Sequence, residues 1–151
     1  MPNLYLTFAL PNPSGKDRPR HGTPSNAQLN SEWMEFANMA NHNLDMSGVA
    51  LCHYTFTDRC QKTGEDQLTT FNGELAAGHS IRVHSGSGQP SWEGTVRHLY
   101  LNRTNYAWNN RCGDTAVLRN AAGTLVDWAS YDSNPLEGQV LRRQQNTNRL
   151  I

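Results

Sequence analysis

The chain has 151 residues with 13 basic and 13 acidic side chains, so its formal net charge is zero. That balance excludes a strongly basic nucleic-acid binder and an acidic solvating tail, and the length suits one domain with short terminal segments. Leu, Ile, Val and Phe number only 27, but four Trp, five Tyr and four Met add core volume, and a neutral chain is not the composition of a disordered one. The 12 Gly and 16 Asn favour many short elements over a few long ones.

Taken in chain order, no apolar run approaches the ~20 residues of a membrane helix. Met1 to Leu10 lacks a basic region and meets Pro11 too early for a signal peptide. Residues 3–10 alternate, with Leu4, Leu6, Phe8 and Leu10 on one face and Tyr5, Thr7 and Ala9 on the other. This period of two predicts a half-buried strand. Pro11 and Pro13 end it, and residues 11–30 carry loop chemistry. Residues 29–40 fit two templates: Leu29, Trp33, Phe36 and Ala40 have helical spacing, whereas Met34 and Phe36 around Glu35 have strand spacing. Val49, Leu51 and His53 alternate with Ala50, Cys52 and Tyr54, and Thr55–Thr57 continue a β-rich composition. Leu75 to Gly78 resembles a turn entry, and Ile81 and Val83 mark the next strand. Gly86-Ser-Gly88 lacks the Lys-Ser/Thr of a phosphate loop and is expected to be a hairpin turn. Leu99 and Leu101 flank Tyr100; Ala116 and Leu118 flank Val117; Asn120–Gly123 is a turn, and Leu125 to Tyr131 a last strand. Strands recurring at this spacing predict an all-β sandwich over residues 1–137, with 138–151 a polar tail or edge segment.

Several motifs, in this order, resemble the lamin-tail domain, an immunoglobulin-like β-sandwich found in nuclear lamins and in bacterial proteins. They are Leu10-Pro-Asn-Pro-Ser-Gly-Lys-Asp17, Glu32-Trp-Met-Glu-Phe-Ala-Asn38, Leu44-Asp-Met-Ser-Gly-Val-Ala-Leu51 and Phe71-Asn-Gly-Glu-Leu-Ala-Ala-Gly78. Ile81-Arg-Val83, Trp108-Asn-Asn110, Gly113-Asp-Thr-Ala-Val-Leu118 and Gly123-Thr-Leu-Val-Asp127 follow. Val49 stands where the bacterial pattern has Trp, Cys112 interrupts the run before Gly113, and residues 54–70 are longer and more polar than a tight turn. The resemblance implies a strand over 32–38 with Met34 and Phe36 inward. It also implies fold-making roles for Asp45, Ser47 and Gly48 in a turn and for Asp114 and Thr115 before a strand. Family members bind both proteins and DNA, and bacterial relatives are often joined to nucleases or hydrolases.

The chemistry-bearing residues form no catalytic or metal pattern. His79 and His84 are five apart, and Cys52 and His53 face opposite sides of a strand. Neither offers the paired spacing that zinc requires, so no metal or cofactor is expected. No nucleophile elbow or cysteine-protease signature surrounds any Cys or His, so the chain is expected not to be an enzyme. Eleven of the 13 basic residues are Arg. Arg97, Arg103, Arg111, Arg142 and Arg143, with Trp92, Tyr100 and Tyr106, are the candidate binding residues. Arg, Trp and Tyr are enriched at protein interfaces, and Arg beside aromatics also stacks bases.

With zero net charge the expected role is a non-catalytic binding or scaffolding module, acting by self-assembly or by docking on a larger partner. The alternative is a nucleic-acid-binding accessory to a separate nuclease or uptake protein. No membrane and no small-molecule substrate are expected. Three Cys at irregular spacing predict three free thiols, no Cys52–Cys112 bridge and a bacterial cytoplasmic location, a mature secreted chain being the other reading. The expected core is Leu4, Leu6, Phe8, Met34, Phe36, Leu51, Ile81, Val83, Leu99, Leu101, Leu118 and Val126.

Overall fold

The alternating segments become the strands of two stacked sheets. In the computed structural model, which describes residues 2–15 and 24–151, the elements in chain order are β1 (Leu4–Leu10), α1 (Asn26–Asn30), β2 (Trp33–Asn38), β3 (Leu44–Asp45), β4 (Ala50–Phe56), β5 (Lys62–Thr70) and β6 (Glu74–Leu75). They continue as β7 (Ser80–His84), β8 (Ser91–Glu93), β9 (Val96–Tyr100), β10 (Asp114–Arg119), β11 (Leu125–Tyr131) and β12 (Leu141–Arg142). Lys16 and Asp17 of the first motif, and the middle of the expected 11–30 loop, lie outside the described residues.

One sheet has six strands in the order β12-β1-β2-β7-β9-β8; the other has four, β11-β10-β4-β5. A two-stranded ribbon of β3 and β6 closes one end. Leu6, Met34, Phe36, Leu51, Val83 and Leu118 are buried between the sheets, as the alternation requires. β2 forms a strand, as the resemblance implied, and Glu35 is buried on its outer side. The Arg82 guanidinium satisfies that carboxylate at 2.9 Å and also lies 3.9 Å from the centre of the Trp33 ring. The polar 138–151 stretch supplies β12, which pairs with β1 at the sheet edge.

Four expectations need correction. First, β1 carries a bulge between Leu6 and Phe8, so Phe8 opposes Glu35 and Ala9 opposes Met34. One extra residue reverses the alternation, turning Phe8 to the outer face and burying Ala9 in the core. Second, Ser25 caps a short helix, accepting the Gln28 N–H on its hydroxyl at 3.1 Å. Five residues are too few to show a helical period. Third, Gly86-Ser-Gly88 is not a hairpin turn. β7 lies parallel to β9, and the chain passes out to β8 and back before that pairing forms. Fourth, the polar stretch after Phe56 is strand β5, paired with β4 along its length.

The thiol expectation is also overturned: Cys60 and Cys112 form a disulfide, and only Cys52 is free, and buried. The bridge joins the β4–β5 turn to the loop before β10. The turn motifs act as expected. Asp45 accepts the Ser47 N–H at 2.9 Å. Gly48 has φ of +77°, and a Cβ there would lie 2.7 Å from that of Ala121. Asp114 accepts N–H groups from Tyr54, Asn109 and Thr115.

Candidate functional site

Side chains that share a register position share a face, so a row can be followed across the large sheet. Leu6 opposes Phe36, Phe36 opposes Ile81, Ile81 opposes Arg97, and Arg97 opposes Trp92. The first three are core residues, Arg97 is half-buried, and Trp92 is 50% exposed. The row passes from core to solvent because the sheets differ in width. β1 packs against β11, so counting strands from there sets β9 over β5, the last strand of the small sheet, and leaves β8 projecting past it. The inner face of β8 and of the adjoining β9 forms a ledge carrying Trp92, Arg97 and Leu99.

The Arg97 side chain makes no ion pair or hydrogen bond with any described residue, and its Nε is buried without an acceptor. Its guanidinium lies 5.8 Å from the Trp92 ring centre, and the Trp92 ring meets His79 edge-on at 5.5 Å. Beneath the ledge is a recess of about 260 Å³.

The remaining candidate residues occupy other places. Tyr100 is on β9 but stacks on His84, on the outer face of the sheet. There His84 Nδ1 is 2.8 Å from the Asn30 carbonyl, which requires Nδ1 to donate. Nε2 then accepts from His98 Nδ1 at 2.8 Å. Burial is the main cause that lowers the His84 pKa, which favours the neutral form that this bonding pattern uses. Arg103 and Tyr106 lie on the loop after β9 and line a separate groove with His53 and Trp108. Arg111 is exposed and donates to the Asp58 carbonyl at 2.9 Å, beside the disulfide. Arg142 lies over Phe8 at the opposite edge of the sheet. Arg143 is internal, paired with Asp127, with side chains only 5% and 3% exposed. Of the eight, the structure brings together Trp92 and Arg97 on the ledge, Arg97 and Tyr100 around the recess, and Arg103 and Tyr106 in the separate groove.

Sequence reasoning missed the pair His53–Asp114. His53 Nδ1 donates to the buried Asp114 carboxylate at 2.9 Å, and Trp108 meets the ring edge-on at 5.7 Å. This arrangement fixes a histidine tautomer as the orienting half of a catalytic triad does. No described residue bonds Nε2, so no described nucleophile accompanies the pair. The signal lay in the cross-strand register of β4 and β10, which the sequence does not display. Among the described residues no three His, Cys, Asp or Glu side chains gather to hold a metal.

Two sheets of antiparallel and mixed strands around one core, with a short ribbon at one end, define an immunoglobulin-like β-sandwich whose distinguishing features lie on its surface. The family model of the lamin tail domain matches residues 9–133, and the chain belongs to that family. This is a non-catalytic type of module that often mediates protein interactions. Comparison with curated proteins gives no match.

Proposed function

We propose that this domain is a non-enzymatic protein-docking module and that its partner seats on the ledge of β8 and β9. The observation that carries this reading is the juxtaposition of a half-exposed Trp92 with Arg97, a guanidinium that no described acidic group neutralises. Trp and Arg are the residue types that dominate interface energies. Edge strand β8 also has an outer side on which no described strand pairs, and such an edge accepts a partner's strand. The zero net charge supports a protein over a nucleic-acid partner.

The cytoplasmic expectation rested on three free thiols. With Cys60 and Cys112 joined, an oxidising compartment is the better-supported location.

The test is affinity capture from the native source with the wild-type chain, Trp92→Ala and Arg97→Ala, together with thermal melts of each. The expected result is a partner retained by the wild type and lost from both variants at unchanged melting temperature. A partner retained equally by all three would overturn the assignment of the ledge. Tight binding to nucleic acid with a steep salt dependence would overturn the protein partner.

A further inference from the structure

We propose that the recess behind Arg97 receives an extended peptide segment carrying an acidic side chain two residues from an apolar one, laid along the exposed edge of β5. The inference rests on the docking role argued above and names the chemistry of what docks.

The recess lies where the small sheet runs out of strands. Ile81 and Leu99 form its apolar wall on the large sheet, and Phe71 and Leu75 its end. Thr69 and Thr70, at the last turn of β5, form the opposite lip. β5 is the edge of its sheet, so its outer N–H and C=O groups pair with no described strand. A strand laid against that edge would occupy the place of a fifth strand and lie directly under the ledge. Its side chains would alternate, with every second one facing the ledge of β8 and β9. The β5 edge is not uniform. One bulge falls at Leu68, beside the recess, and bulges limit how far a foreign strand can pair. The pairing is therefore short and sited near Thr69 and Thr70.

Two features of the recess fix the chemistry of the occupant. Its apolar wall favours an aliphatic side chain, because Leu99 stays only partly covered there. Arg97 favours an anion. A guanidinium cannot shed its proton, and no described acidic group pairs with this one, so an incoming carboxylate meets an uncompensated charge. The planar fork of Arg matches a carboxylate with two parallel hydrogen bonds. Glu74 also lines the recess, but its carboxylate accepts from Asn43 Nδ2 and forms no ion pair with Arg97. A segment with an acidic and an aliphatic residue at alternate positions satisfies both features at once.

The experiment titrates the full ¹⁵N-labelled chain with the blocked pentapeptide Val-Thr-Glu-Thr-Val and with its Gln and Lys counterparts, up to about 5 mM, the range of weak peptide affinities. The expected result is saturable shifts confined to the amides of Thr69, Thr70, Arg97 and Leu99. The Gln peptide should bind about tenfold more weakly, the equivalent of one lost charge-assisted hydrogen bond, and the Lys peptide not at all. Arg97→Met should abolish the preference for Glu over Gln without lowering the melting temperature, because it removes an unpaired buried donor. Equal binding of the three peptides, shifts elsewhere, or no shifts at all would overturn the proposal. A fall in melting temperature for Arg97→Met would show instead that Arg97 serves the fold. The titration uses no cellular partner, so its outcome is separable from that of the capture experiment. Peptide binding with no partner captured would leave the recess chemistry standing and remove the docking role.

Discussion

Arg143 closes on Asp127 from the opposite sheet with two hydrogen bonds, Nη1 to Oδ2 at 3.0 Å and Nη2 to Oδ1 at 3.2 Å. Both residues also bind Leu6, where the bulge interrupts the β1 ladder. Asp127 accepts the Leu6 N–H at 2.8 Å, and Arg143 donates to the Leu6 carbonyl at 2.9 Å. The β1–β12 ladder covers only Phe8 and Ala9, so the pair satisfies Leu6 backbone groups beyond its end, as buried polar groups require.

Removing one member leaves the other charged and buried. Arg143→Ala and Asp127→Ala should each lower unfolding stability by about 3–5 kcal/mol. The double variant should cost little more than either single one, because the two act as a unit. Urea unfolding of the four proteins measures this. Additive losses would mean that the two residues serve separate roles.

The disulfide gives a second prediction. Cys60 and Cys112 are 52 residues apart, so the bridge restricts a long loop of the unfolded chain. Loss of a native bridge typically costs about 2–5 kcal/mol. The Cys60→Ser/Cys112→Ser variant should therefore unfold at clearly lower urea concentration than the oxidised wild type. A thiol assay without reductant should find one reactive group, and only after unfolding, because Cys52 is buried and burial is the main cause that raises its pKa. Three reactive thiols in the unfolded, unreduced chain would contradict the bridge.

Legibility in the sequence followed the strength of the local pattern. β2, β7 and β10 bury the large residues that their alternation singled out, including Met34, Phe36, Ile81, Val83 and Leu118. β5 showed no such pattern. Its only large aliphatic residue is Leu68, and as an edge strand it is wetted along most of its length. The reversal at Phe8 and Ala9 depended on a bulge that leaves no compositional mark. The same division holds for the site. Trp92 and Arg97 could be named as interface-type residues, but their position on a ledge depends on the unequal widths of two sheets. Arg143 looked like a surface residue because its partner, Asp127, lies on the other sheet. The partner of Cys112 was hidden for a related reason, since connectivity among three Cys is not encoded in their spacing.

Glu32 gives the last prediction. It is fully buried just before β2, and one carboxylate oxygen accepts the Ser85 hydroxyl and the Ala107 and Trp108 N–H groups. The second oxygen has no partner among the described residues. Burial dominates these hydrogen bonds and the nearby Arg103 charge, and raises the pKa from 4.5 to about 8. The folded state therefore holds a proton that the unfolded chain has released above pH 4.5. Where the native state binds more protons, stability falls as pH rises. Glu32 thus stabilises least above about pH 8, and its contribution declines from about pH 4.5 upward by as much as ~1.4 kcal/mol per unit. Glu32→Gln retains an oxygen for the three donors and has no charge to bury. Its stability should be close to wild type at pH 5 and higher than wild type at pH 8.5, with the difference growing steadily between the two. Urea unfolding of both proteins across that range measures it. Parallel pH profiles would mean that Glu32 is ionised in the fold, with its charge stabilised by Arg103 and the loop amides.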